Sequence, residues 1–453
     1  MNRIQRLFHS WSTDQLIGRI VKNSGLLFTS NAIGAILSIA TANLLGVEQF
    51  GALGIVLSFV SNINRLLSFR MGDVVVRYMG EYVTRGELDK AGAMVKAAGL
   101  MEGATSLVAY GVLAILAPFG AKYIAHDPGS TPLFYLFGIS IIGMLATETA
   151  TGVLQVGNRF RSQSVINLIQ SLVTAGVIVY AYISRAGIMT VMFAYLAGKL
   201  VAGIGPMLAA WRNLNETLGR GWWKASLKLL PPFKELAKFA VSTNLSGTIN
   251  MVVRDSELLW VGWLFNAQAA GYYKTALAVI NLMIMPINPF ISTTYPEIIR
   301  SITQKAWGTL RRLLRRVSLI AGGWTIAVGA GLLLIGRQVL FTPWIPWKGE
   351  LHAVYKPEFL PALPLIIILL LGYGLANSLY WNRSLLLAFG QADYPLKVAF
   401  WATLIKVALT ILVVPRLGYP WEAVLLSIYL AITVAILAWK GLLEIKKAES
   451  EIP

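Results

Sequence analysis

Arginine and lysine set inside long apolar runs are the residues of this sequence best able to do chemistry. Arg65, Arg70, Lys199, Arg254, Lys274, Arg383 and Lys406 each sit within or at the edge of such a run, with the acids Glu102, Glu148, Asp255 and Glu257. An ionisable side chain in hydrocarbon costs roughly 2.5–3.5 kcal/mol, so it is kept for pairing or for function. Bases outnumber acids, and a basic excess in a low-dielectric setting makes a positive potential. That field suits a phosphate or pyrophosphate group, which Arg grips with a planar fork and Lys with a point charge. The chemistry is binding and neutralisation. No catalytic residue is expected.

Each position carries a structural reading beside the functional one. Arg70 and Lys274 lie within about one turn of a span end, where the side chain snorkels to the interface. Arg65 lies deeper and shares a helical face with Asn62 and Phe69, which reads as cavity lining; Glu102 and Glu148 would then neutralise it or join an ion path. Arg254 and Glu257, at i and i+3, form either an internal pair or a substrate contact. Asp255 projects about 100° away from Arg254 and is the acid best placed for a proton or cation role. Arg383, with Asn377 and Asn382, is either a cavity residue or a snorkelling one. The substrate-binding set is therefore Arg65, Arg254, Arg383, Lys199 and Lys406, and the ion-coupling candidates are Asp255, Glu257, Glu102 and Glu148. Pro286 and Pro289, flanking Asn288, interrupt an apolar run as a hinge or as a static kink.

Other chemistries lack their residues. There is no Cys, and the three His (His9, His126, His352) lie near ends or loops, so no metal site or cofactor is expected. No Gly-rich loop with a Lys supports ATP hydrolysis. A lipid-dependent glycosyltransferase or polymerase would need acidic pairs or a large outer domain, and the outer side offers only Glu48, Asp127, Glu350 and Glu358, with Glu422 at a span edge. The expectation is a transporter, not an enzyme, driven by an ion gradient, the membrane potential or the substrate gradient.

The elements that position these charges are membrane spans. Of 453 residues, 56% are hydrophobic and 13% charged, and the mean hydropathy is +0.64. A soluble domain carries about 25% charged residues, so lipid must cover much of this surface. The net charge of +18 does not indicate a nucleic-acid partner, because the basic residues fall in short stretches between apolar runs. Runs of roughly 20 apolar residues, enough to cross a bilayer, occur at 21–44, 51–69, 94–117, 132–154, 164–183, 190–210, 238–264, 270–292, 316–336, 361–385, 396–414 and 420–440. With residues 1–19 as an amphipathic helix on the inner surface, basic residues concentrate on the inner side, and only Lys122, Arg185, Arg337, Lys348, Lys356 and Arg416 fall outside. Both termini are then cytoplasmic, in the plasma (inner) membrane.

The two halves repeat. Leu45–Gly51 follows the first span and Phe265–Gly271 the seventh; the stretches after Arg77 and after Glu297 correspond, as do Gly157 with Gly390 and Arg185–Gly187 with Arg416–Gly418. The reading is an all-α polytopic membrane protein of about twelve spans in two parallel six-helix repeats around a central cavity. Its parts are an interfacial helix (1–19), a first bundle (20–210), a cytoplasmic interfacial linker (211–237), a second bundle (238–440) and a cytoplasmic tail (441–453).

The same stretches carry a family likeness. Leu45-Gly46-Val47-Glu48-Gln49-Phe50-Gly51-Ala52, Val76–Tyr82, Asp255–Gly262, Gly271-Tyr272-Tyr273 and Tyr355–Phe359 resemble conserved stretches of polysaccharide and oligosaccharide flippases, in the multidrug/oligosaccharidyl-lipid/polysaccharide exporter superfamily. Lys356-Pro357 stands where a Gly is common, and the charges Arg254 and Glu257 are additional. The resemblance implies two six-helix bundles opening alternately to either side, with fifth and sixth spans that can be peripheral; that gives Lys199 and Lys406 a structural alternative. It implies a polyprenyl-pyrophosphate-linked glycan as substrate, membrane lipids as surroundings, glycosyltransferases or a polymerase as pathway partners, and a monomer. The alternative within the superfamily is a cation-coupled multidrug exporter, which would rely on intramembrane acids. Lipid II flippases usually have two more spans.

Overall fold

Apolar side chains dominate the sequence, and in lipid the backbone must satisfy its own hydrogen bonds, as a helix or a closed barrel does; unbroken apolar runs of roughly 20 residues suit the helix. The computed structural model describes residues 15–230, 248, 251–347, 350–391 and 393–450. Most of the expected N-terminal interfacial helix, the linker from 231 on and the first part of the 238–264 span lie outside the described residues. The helices are α1 (Gln15–Leu67), α2 (Gly72–Thr84), α3 (Leu88–Phe119), α4 (Thr131–Gly143), α5 (Thr147–Val156), α6 (Phe160–Ile183) and α7 (Ile188–Thr217). They continue as α8 (Glu257–Leu264), α9 (Ala267–Ile284), α10 (Asn288–Thr303), α11 (Trp307–Phe341), α12 (Ala362–Ser378), α13 (Asn382–Ala388), α14 (Asp393–Leu417) and α15 (Pro420–Ser450). A small antiparallel hairpin, β1 (Ile345–Trp347) with β2 (Glu350–His352), follows α11 and pairs Ile345 with His352.

Every expected span outside 238–264 lies mainly on helix, and among the described residues nine stretches are long and apolar enough to cross a membrane. The chain is an all-α polytopic membrane protein. At about 1.5 Å per residue α1 would be far longer than one bilayer is thick. Gly46 divides it, taking φ 74 and ψ 174, a positive φ that only glycine adopts without strain.

The chain forms two compact units: Ile36–Lys274, and Thr275 onward together with the chain up to Ala35. In the first unit α2 packs on α3 and α5, α3 on α4, and α4, α5 and α6 all pack on α7. In the second, α10 packs on α11 and α13, α11 on α12, and α12, α13 and α14 all pack on α15. The amphipathic α2 buries Val74, Val75, Tyr78 and Met79 among Met94, Val153 and Leu214. Ile298 on α10 is buried with Leu310, Leu314, Trp381 and Leu385.

Three helix ends in each unit close alike. Gly86, Asn158 and Arg185 have φ of 73, 52 and 51, and Lys305, Gly390 and Gly418 have φ of 52, 75 and 96. After α2 the Glu87 amide bonds back to Tyr82 O at 2.9 Å; after α10 the Ala306 amide bonds back to Ser301 O at 2.9 Å. This is the Schellman closure, and a left-handed residue makes it. Beside Gly157 it is Asn158 that is left-handed, a conformation Asn also tolerates. In the matched stretches Arg185–Gly187 and Arg416–Gly418, the left-handed residues are Arg185 and Gly418.

Several spans are broken. Turns at 68–71, 144–146, 285–287 and 379–381 separate α1 from α2, α4 from α5, α9 from α10 and α12 from α13. Pro286 lies in the 285–287 turn and Pro289 near the start of α10, where its missing N–H costs nothing. The break before α2 contains no proline, so such an interruption does not require one.

Candidate functional site

The site is built on the first unit, where the second arm of α1 carries Arg65 and a π-helical segment, Met251–Asp255, leads into α8. The segment is closed by the Ser256 amide on Met251 O at 3.0 Å, an i→i+5 bond. A π-turn widens the helix and re-aims its side chains, a device frequent at functional sites. Here it leaves Arg254 and Asp255 exposed while Glu257, two residues on, is fully buried. Asp255 pairs with Arg65, the side chains being 43% and 50% exposed. Asn62, one turn back on α1, donates its Nδ2 to Asp255 O at 3.3 Å and fixes the backbone of the pair. Lys199, half-buried on α7, belongs to the same unit. Arg65, Lys199, Arg254 and Asp255 thus bring more positive than negative charge to one unit.

Other carboxylates have structural work. Glu102 on α3 is buried, and its oxygens accept from the Glu148 amide at 2.9 Å, the Thr149 amide at 2.8 Å and Thr149 Oγ1 at 2.7 Å. These amides belong to the first turn of α5, whose N–H groups have no helical partner after the break at 144–146. Glu102 therefore caps α5 from a neighbouring helix, and Asp255, not Glu102, is the acid on Arg65. Glu148 itself is exposed. Glu257 accepts from Tyr273 Oη at 2.5 Å.

In the second unit Lys406 on α14 is 2% exposed and pairs with Glu422, which is wholly buried on α15; Thr410 Oγ1 donates to the other Glu422 oxygen at 2.9 Å. Lys406 is inward and matched within its own helix pair. Arg383, on the first turn of α13, is exposed. Around its break Asn382 Nδ2 donates to Leu379 O at 2.6 Å, Asn377 Nδ2 to Thr325 Oγ1 at 2.8 Å, and Trp381 Nε1 to Ser318 Oγ at 2.7 Å. Among the described residues no group of three or more His, Asp or Glu comes together as metal ligands would.

Lys274 was expected to snorkel. Instead its Nζ donates to Phe50 O at 3.3 Å and lies 4.0 Å from the Phe50 ring centre. Gly54 makes the room, since a β-carbon there would stand 2.7 Å from the lysine Cδ. Beside it α1 and α9 cross on glycines: a β-carbon on Gly51 would collide with Ala267 O, and one on Gly271 with Val47 O.

Comparison with known proteins agrees with this architecture. Inner membrane protein YghQ of Escherichia coli (strain K12) is 26% identical over 340 residues, covering 73% of this chain and 94% of that protein. A multidrug resistance MATE family transporter of the MOP superfamily, in an inward-facing conformation, superposes with a TM-score of 0.69 at 13% identity over 94% of this chain and 96% of its own. The lipid II flippase MurJ, in an inward closed conformation, gives 0.70 at 14% identity over 94% and 90%. The fold is therefore one that membrane transporters use. The profile of the family described as "polysaccharide biosynthesis protein" matches residues 40–340, more than half of the sequence, and this multi-pass membrane chain belongs to that family.

Proposed function

We propose that this protein is a flippase that carries a polyprenyl-pyrophosphate-linked oligosaccharide or polysaccharide unit across the plasma membrane by alternating access, without catalysing a covalent step. The observation that carries the reading is the half-exposed Arg65–Asp255 pair with Lys199 and Arg254 on the same unit. A partly wet excess of positive charge on membrane helices attracts a doubly charged head group, and the exposed Arg383 is proposed as an anion-attracting residue of its own unit. Membership of a polysaccharide biosynthesis family supports a glycan as cargo, and its pathway would supply glycosyltransferases or a polymerase as neighbours. Lys406 is left out of the binding set, because Glu422 already neutralises it.

The two parallel repeats belong to this reading. Matching neighbour order in the two units and matching left-handed helix ends support them. So does one detail: the residues leading into α3 and α11, Glu87 and Ala306, share φ −85 and ψ 63. Both termini are assigned to the cytoplasm from the distribution of Lys and Arg.

The test is glycan export in cells that depend on this protein, with Arg65→Ala and Arg254→Ala compared at equal protein level. Each substitution is expected to abolish most export. Unchanged export by both would remove these residues from the binding set. Resistance to cationic drugs in a sensitised host, lost with Asp255→Asn, would favour the multidrug reading instead.

A further inference from the structure

After α7 the chain does not leave the first unit but folds back along it as a strap, Gly219–Leu230. Gly219 and Gly221 take φ of 87 and 100 and turn it off the helix end. Two short 3-10 turns, Trp222–Lys224 and Leu227–Leu229, then pack on α3. The strap is pinned at several points. Trp222 and Leu230 pack on the buried cluster of α2, α3, α5 and α7, and Lys96 Nζ donates to Ala225 O at 3.3 Å. Gly92 allows the close approach, since a β-carbon there would stand 2.9 Å from Trp222 O.

Its depth follows from α3. That helix has 32 residues and is longer than the roughly 30 Å hydrocarbon layer is thick. Asp89, Lys90 and Lys96 lie in its first three turns, and beyond them Glu102 is its one ionisable residue. The first turns, where Gly92 and Lys96 hold the strap, therefore stand in the headgroup layer. Between the pinned ends Trp223, Lys224, Leu227, Lys228 and Leu229 are exposed. The Trp223 ring stacks on the exposed Trp211 of α7, with centroids 5.2 Å apart and planes at 17°. Indoles, leucines and ammonium groups together at that depth suit a lipid surface.

The charge is one-sided as well. Of the acids on the adjoining helix ends, Glu216 pairs with Arg159 and Glu87 with Lys90. Among the described residues that leaves Asp89 against Arg212, Arg220, Lys224 and Lys228. We propose that the strap is a preformed binding surface for anionic phospholipid, with its apolar side chains among the acyl chains and Lys224 and Lys228 on headgroup phosphates. It holds whatever the cargo is, because it needs only the membrane around the chain.

The chain has no Cys, so Ser226→Cys gives a single labelling site within the strap. The full chain, carrying a bimane fluorophore there, is reconstituted in vesicles of phosphatidylcholine and phosphatidylglycerol at one fixed composition. Bromine atoms are placed on the acyl chains of one lipid or of the other, and quenching is compared per mole of brominated lipid. Brominated phosphatidylglycerol is expected to quench about fivefold more, the worth of one cation near anionic lipid. The excess is lost in Lys224→Gln with Lys228→Gln and kept in Lys224→Arg with Lys228→Arg. Salt screens exposed charges, so the excess also falls as ionic strength rises, a second readout should the glutamine pair fail to reconstitute. Equal quenching by both lipids, an unquenched label, or an excess indifferent to salt or to the glutamine pair overturns the proposal.

Discussion

Lys406 and Glu422 show how little a buried charge says by itself. Each is almost wholly enclosed, Thr410 serves the second carboxylate oxygen, and no charge is left over for a ligand. Removing one member of such a pair leaves the other uncompensated, at a cost of about 3–5 kcal/mol, whereas replacing both is often close to neutral. Lys406→Met is therefore expected to lower the thermal midpoint in detergent sharply, and Lys406→Met with Glu422→Gln to recover most of it with transport intact. A double variant deficient in export at normal stability would return Lys406 to the binding set. At this scale the sequence is legible in residue type only. Charges inside spans announce themselves, but the partner of Arg65 lies 190 residues away and that of Lys406 lies 16 away on the next helix. Helical periodicity reaches neither.

At the scale of elements, spans were readable and their interruptions were not. A hydrophobic run long enough to cross is visible in composition, yet the breaks at 144–146 (Met-Leu-Ala) and 379–381 (Leu-Tyr-Trp) are as apolar as their flanks and hold neither Gly nor Pro. What marks the first break is a tertiary cap, Glu102 on α3. Pro286 marks another, and there the sequence reading and the turn coincide. Glu102→Ala strips the first turn of α5 of acceptors for two amides, and a buried donor left unmade costs about 1–3 kcal/mol. Hydrogen exchange at Glu148 and Thr149 should accelerate in that variant while α6 exchanges as before. Unchanged protection at these amides would show that another group caps α5. Glu102→Gln, which keeps one oxygen acceptor, is expected to fall between.

For the molecule as a whole, the absence of cysteine allows each assigned loop side to be probed one thiol at a time. A cysteine introduced at Lys356, outside β2, is expected to react with a membrane-impermeant maleimide added to intact cells, and one at Arg220 only after permeabilisation. The opposite pattern would invert the topology. The crossing of α1 and α9 has its own consequence. Each glycine sits four residues beyond the carbonyl that the other abuts, so exchanging the two helices leaves the contact unchanged. A methyl group on either one forces the same separation. Gly51→Ala and Gly271→Ala should therefore be strongly non-additive: once one has pushed the backbones apart, the second finds space already open, and the double variant loses clearly less stability than the two losses added together.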